Sequence, residues 1–176
     1  MPKPIFEGVI KIDTREQRPF DFSGYGISTE VGTLASGDYS LAGYESQVAI
    51  ERKSLDDFIR SIIHERERFF AELRRLQEMS YAAIVVEGSL VDIFGKRYHG
   101  DASTESVLGS TVAIMVDFGI PVLFCGNRPG AAWMTAALLK RFWLNARKSE
   151  GDSAPEGNTN GGDKEGNGMG PSGRGG

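Results

Sequence analysis

Cysteine is nearly missing from these 176 residues. The single Cys125 excludes an intramolecular disulfide framework and fits a reducing compartment. Histidine is scarce as well, and His64 and His99 are too isolated to form a ligand pair. No apolar run is long enough to cross a bilayer. The start, MPKPIFEGVI, lacks a charged segment followed by a long apolar one, so no secretory signal is read. The expectation is a cytoplasmic protein without membrane association, nucleoid-associated in a bacterium or phage, with a nuclear home left open. An excess of positive charge is also absent. The net charge is −4, of which −3 falls on the stretch from Ser149 onward, leaving a body close to neutral. A nucleic-acid partner would therefore have to be held by local patches, with modest and salt-sensitive affinity.

The hydrophobic fraction of 40% is ordinary for a globular chain, and the length suits one domain with a real core. Residues 149–176 are polar, Gly-rich, acidic and without periodicity, and read as a disordered tail after a domain of residues 1–148. Within that domain GVIKIDTRE and STEVGTL read as strands, and DYSLA and QVAIERK as a hairpin around GYES. Ser54 caps a helix whose apolar stripe runs to Leu76, with a break or bend at His64 to Arg66. YAAIVVEG is apolar at successive positions, as in a strand covered on both faces. STESVLGSTVAIMVDFG is a capped helix ending in Gly119, IPVLFC a further buried strand, and Pro129 opens a last helix. The predicted class is α/β, a mixed central sheet flanked by helices.

The hairpin gathers the charges of interest. If Tyr44 and Glu45 form its turn, Ser40 faces Ala49 and Asp38 faces Glu51. Asp38, Glu51 and Lys53 then share one face, while Tyr39, Leu41, Val48 and Ile50 line the other as core. Two carboxylates opposite one another repel, unless a cation sits between them or one holds a proton. Mg²⁺ suits such oxygens, and Lys53 would lie beside any water held there. Geometry alone leaves the competing account open, in which these are solvated hairpin charges with Lys53 as an ion-pair partner.

Gly37-Asp38, Glu51-Arg52-Lys53 and Asp57 together resemble the signature of the XPF-type structure-specific endonucleases: Gly-Asp, a spacer, Glu-Arg-Lys, three residues, Asp. The match is longer than the Asp…Glu-x-Lys core of the wider restriction-endonuclease-like superfamily. IDTRE is similar to the family's upstream Asp-x-Arg-Glu and supplies Asp13, Arg15 and Glu16. Glu30 stands where members often carry an acid, and ERERFFAEL resembles the segment that supplies an Arg, here Arg68. The resemblance spans about Val9 to Lys148. It implies a restriction-endonuclease-like nuclease core and a Mg²⁺-dependent cut of DNA near a branch, flap or junction, leaving a 5′-phosphate and a 3′-hydroxyl, with Mn²⁺ able to substitute. Members usually add a helix-hairpin-helix pair that grips DNA and dimerises. None is read here, so a recruiting partner or a minimal nuclease is expected.

On this reading Asp38, Glu51, Lys53, Arg52 and Asp57 form the catalytic motif. Asp13, Asp38, Glu51 and the Ile50 carbonyl are the metal ligands, with Glu16 and Glu30 as additional acids. Asp13 also suits a turn at a strand end. Arg52 points to the opposite face and needs a partner there; Asp57 is a candidate, and equally a cap acid for the helix opened by Ser54. Arg15, Arg66 and Arg68 are either phosphate contacts or ordinary solvated charges. Cys125 reads as core. The last helix carries Trp133, Met134, Leu138, Leu139, Phe142 and Trp143, mostly core, with some aromatic surface left for a second subunit. Two rival functions remain: an inactive DNA-binding scaffold on the same fold, and a Holliday-junction-resolvase or restriction-type nuclease sharing only the core motif.

Overall fold

The computed structural model describes residues 6–152. Six strands form one mixed sheet: β1 (Val9–Asp13), β2 (Ser28–Gly32), β3 (Tyr39–Leu41), β4 (Val48–Ser54), β5 (Tyr81–Glu87) and β6 (Val122–Phe124). Their order is β2-β1-β3-β4-β5-β6. β3 runs antiparallel to both its neighbours, and every other pair is parallel.

Alternation along the strands sends side chains into two cores. Ala49, Ile84 and Val86 meet α1 (Leu55–Ile63), α2 (Arg66–Gln77) and α4 (Thr104–Asp117) on one face. Ile10, Ile12, Tyr39, Leu41, Ile50, Ala83 and Val85 meet Phe20, Phe22 and α5 (Arg128–Asp152) on the other. β5 is buried on both faces along its length, which is why its sequence shows no alternation.

The hairpin keeps the expected register, with Tyr39 paired to Ile50, but not the expected turn. Tyr44 N–H donates to Leu41 O, and Gln47 and Val48 N–H both donate to Tyr44 O, so a longer connection replaces the two-residue turn. α1 and α2 are separate helices broken at His64 and Glu65, as the stripe predicted. The short helix α3 (Leu90–Phe94), capped reciprocally by Ser89 and Asp92, was not read from the sequence. α5 continues past the expected boundary at Lys148 to Asp152. Ser149 Oγ donates to Asn145 O, and Tyr44 Oη donates to Glu150 at 2.8 Å, which extends the helix. The rest of the predicted tail lies outside the described residues. Of the large apolar residues on α5, Leu139 is buried and Trp133 is mainly exposed. Among the described residues no helix is long and apolar enough to cross a membrane.

Candidate active site

The C-terminal ends of β1, β4 and β5 and the N-terminal end of β3 meet at one end of the sheet. The ladder departs from its regular pattern there. Asp38 N–H donates to Ile50 O at 2.9 Å, and the Arg52 amide donates to the Asp38 carboxylate at 2.8 Å. The turn into β3 rests on Gly37, whose φ of +74° suits glycine; a Cβ there would lie 3.0 Å from that of Ala49. Ser40 and Ala49 are fully buried beneath the acids, with Ser40 Oγ donating to Val48 O.

Glu51 is buried, and Lys53 Nζ donates to its Oε1 at 2.9 Å. The ammonium also lies 4.9 Å from the centre of the Phe69 ring on α2. Burial, followed by the Asp38 charge, pushes Glu51 up to about 8. Burial, aided by the charge of Glu16 and opposed by the Arg52 amide, pushes Asp38 up to about 6. For Lys53 burial acts downward, but the Glu51 charge and hydrogen bond outweigh it and the pKa rises. The three residues therefore form one electrostatic unit that is short of positive charge.

The remaining expected residues divide. Asp13 lies level with Asp38 in the next strand, its amide donating to Asp38 O. Its carboxylate, however, accepts from the Leu34 amide, the Arg15 amide and the Arg15 guanidinium. Burial opposes its ionisation, yet these bonds hold its pKa below the usual range. Both its oxygens are engaged, and it does not join Asp38 and Glu51 in a three-acid group; no such group is formed among the described residues. The Ile50 carbonyl is engaged by the Asp38 amide. Glu30 is one row away, level with Lys11, to which it pairs at 3.5 Å, so β1–β2 register keeps it from the site. Glu16 is brought in: its side chain is 6% exposed and lies 3.8 Å from Arg52.

Arg52 does point to the opposite face, but its partner is Glu87, at 2.8 Å, not Asp57. Asp57 is exposed, caps α1 through Ser54 and pairs with Arg60, because the first helical turn carries it away from the α5 face. Arg15 and Arg68 are largely exposed, Arg68 near Glu65 and Arg66 over the Phe70 ring. Three participants were not read from the sequence. Glu87 ends an otherwise apolar strand, a signal that was available. Arg128 donates to Glu87 at 2.8 Å and to the carbonyls of Arg18 and Pro19, with nothing local to mark it. Glu72 exerts its charge on Asp38, Glu51 and Lys53.

The donor set fits a hard divalent cation. Two carboxylates repel each other beside a lysine, and Mg²⁺ is commonly bound through one or two carboxylates, waters and substrate phosphate oxygens. Five matches to known proteins bear on this arrangement. The family model described as "ERCC4 domain" matches residues 12–138. The protein named "Putative ATP-dependent RNA helicase" from Methanocaldococcus jannaschii is 33% identical over 140 residues, which is 80% of this chain and 16% of that protein. The "3′-flap repair endonuclease Xpf" of Saccharolobus solfataricus is 26% identical over 125 residues, 70% of this chain and 50% of that one. The chain thus spans half or less of these relatives. Among solved structures, XPF from Aeropyrum pernix matches with a TM-score of 0.64 at 24% identity, covering 81% of this chain and 69% of that one. Its complex with DNA matches with a TM-score of 0.63 at 26% identity, covering 79% and 66%.

Proposed function

The chain belongs to the ERCC4 domain family, and from that premise we propose that it is a structure-specific DNA endonuclease that depends on a divalent metal, Mg²⁺ or Mn²⁺. The observation that carries the reading is the Asp38–Glu51–Lys53 unit at the open end of the sheet, two mutually repelling carboxylates beside one ammonium. The XPF structure determined with DNA supports a DNA substrate, and the relative named as a 3′-flap repair endonuclease supports a branched one.

Asp38 and Glu51 would hold the cation, which when bound would lower the pKa of water and offset charge on the phosphate. Lys53, fixed by Glu51 and the Phe69 ring, presents its ammonium where the phosphorane charge develops. Water attacks phosphorus in line with the 3′-oxygen, which departs with a proton, giving a 5′-phosphate and a 3′-hydroxyl. Arg52 takes no part in the bond changes: bound to Glu87, it fixes the strand between Glu51 and Lys53. Arg15, Arg66 and Arg68 contact flanking phosphates, and branch preference draws on a second copy or a recruiting partner. The deciding assay compares flaps, forks, four-way junctions and plain duplex under a Mg²⁺ and Mn²⁺ titration, beside Asp38→Asn. Metal-dependent nicking of a branched substrate, absent in the variant, is expected. Preference for plain duplex, or no cleavage with any metal, would overturn the reading.

A further inference from the structure

Among the described residues, Glu72 is the one acid near the site without a hydrogen-bond or ion-pair partner. Asp13 is held by Arg15, Glu16 by the Arg18 amide, Asp38 by the Arg52 amide and Glu51 by Lys53. Glu72 is half-buried, yet makes no hydrogen bond or ion pair among the described residues. Its direction is set by α2. Phe69 lies three residues earlier on the same helical face and places its ring 4.9 Å from Lys53 Nζ. The turn that seats Phe69 on Lys53 therefore presents Glu72 to the same cleft. It lies within electrostatic reach of four groups: Arg15 just after β1, Asp38 just before β3, and Glu51 and Lys53 on β4.

We propose that Glu72 is a positioning residue of the Asp38–Glu51 site, a third negative charge that draws the divalent cation into the cleft. The inference rests on the metal-dependent reading above and adds a residue that lies outside the Gly-Asp…Glu-Arg-Lys…Asp motif. A carboxylate left unpaired in a half-buried place is costly unless something positive arrives. Here the nearby ammonium already shares Glu51 with the cleft, so the outstanding charge is to be met by the cation and its waters. Glu72 acts on the cation through the field, whereas Asp38 and Glu51 supply the oxygens.

The test measures Mn²⁺ binding by calorimetry and the Mn²⁺-induced rise in melting temperature. It uses the full chain as wild type, Glu72→Gln, Glu72→Asp, Asp38→Asn and Glu67→Gln, the last altering an exposed acid elsewhere on α2. Glu72→Gln is expected to weaken Mn²⁺ by about tenfold, the effect of one unit charge on a doubly charged ion across a partly solvated cleft. Glu72→Asp recovers most of that loss, and Glu67→Gln matches wild type. The Mn²⁺ concentration for half-maximal nicking rises with the dissociation constant, while the rate at saturating metal is largely kept, a split that a merely structural role would not produce. Metal-free melting of Glu72→Gln stays at or above wild type, since no bond is lost. Equal Mn²⁺ affinity in wild type and Glu72→Gln, with affinity lost in Asp38→Asn, would overturn this inference and leave the site intact. Absence of Mn²⁺ binding in the wild type would overturn both.

Discussion

Arg52 and Lys53 are adjacent, both basic and both part of one motif, yet the sheet sends them to opposite faces, and their replacement by alanine should have different consequences. Arg52 is 11% exposed and donates to Glu87, 13% exposed, with Glu16 and the Phe20 ring also nearby. Removing one member of a buried ion pair costs about 3–5 kcal/mol when the other charge is stranded. Here Glu87 keeps Arg128 and Glu16 keeps the Arg18 amide, so the loss for Arg52→Ala should be nearer ~2 kcal/mol. In a domain of this size that corresponds to a fall of about 4–8 °C in melting temperature. Lys53→Ala strands Glu51, but this carboxyl already binds its proton tightly and becomes neutral instead, so the cost should stay below about 1 kcal/mol. Thermal melts followed by circular dichroism at neutral pH, paired with nicking of a flap substrate, separate the two variants. Lys53→Ala is expected to melt near wild type and lose cleavage; Arg52→Ala is expected to melt clearly lower. Equal melting temperatures would refute the division of faces. A large fall in Lys53→Ala would refute the neutralisation of Glu51.

Two further outcomes follow from the same geometry. Asp38 and Glu51 bind protons more tightly folded than unfolded, so their contribution to stability is fully present below the ordinary carboxylate range. It is lost as pH rises through about 6 and then about 8. With chelator present, the melting temperature should fall between about pH 5 and about pH 8.5, and Glu51→Gln should flatten that slope; a rise over this interval would contradict the burial argument. Asp13→Asn keeps one acceptor for the Leu34 amide but loses the ion pair with Arg15, and should destabilise by about 1–2 kcal/mol in urea unfolding; a change within error would show that this carboxylate does not anchor the loop.

The sequence was most legible where a period of two or of 3.6 carried the signal. The hairpin register was recoverable although its turn was not, because slipping Tyr39 and Ile50 by one residue would put both into the wrong core. The interruption after Ile63 showed as a charge where an apolar residue was due. Spacing along a chain does not reveal strand register, and only the pairing of β1 with β2 sets Glu30 level with Lys11, one row off from Asp13. Asp57 was given to Arg52 on nearness in sequence, while the true partner is brought by the parallel pairing of β4 and β5. Arg128 and Glu72 were invisible for a related reason: each meets the site only through packing of a distant helix, and neither sits in a local pattern that demands a charge. Asp13 was correctly placed at the strand end, but its hydrogen-bond partners include a backbone amide 21 residues away, which no motif encodes.

The oxygen of Asp38 that takes the Arg52 amide has a consequence for how loss-of-function experiments are interpreted. It stands in for a rung of the sheet, so trimming this side chain to a methyl group unfastens the backbone segment that delivers Glu51 and Lys53. An inactive alanine variant would thus mix damaged scaffolding with missing chemistry, whereas asparagine keeps the rung and removes only the charge.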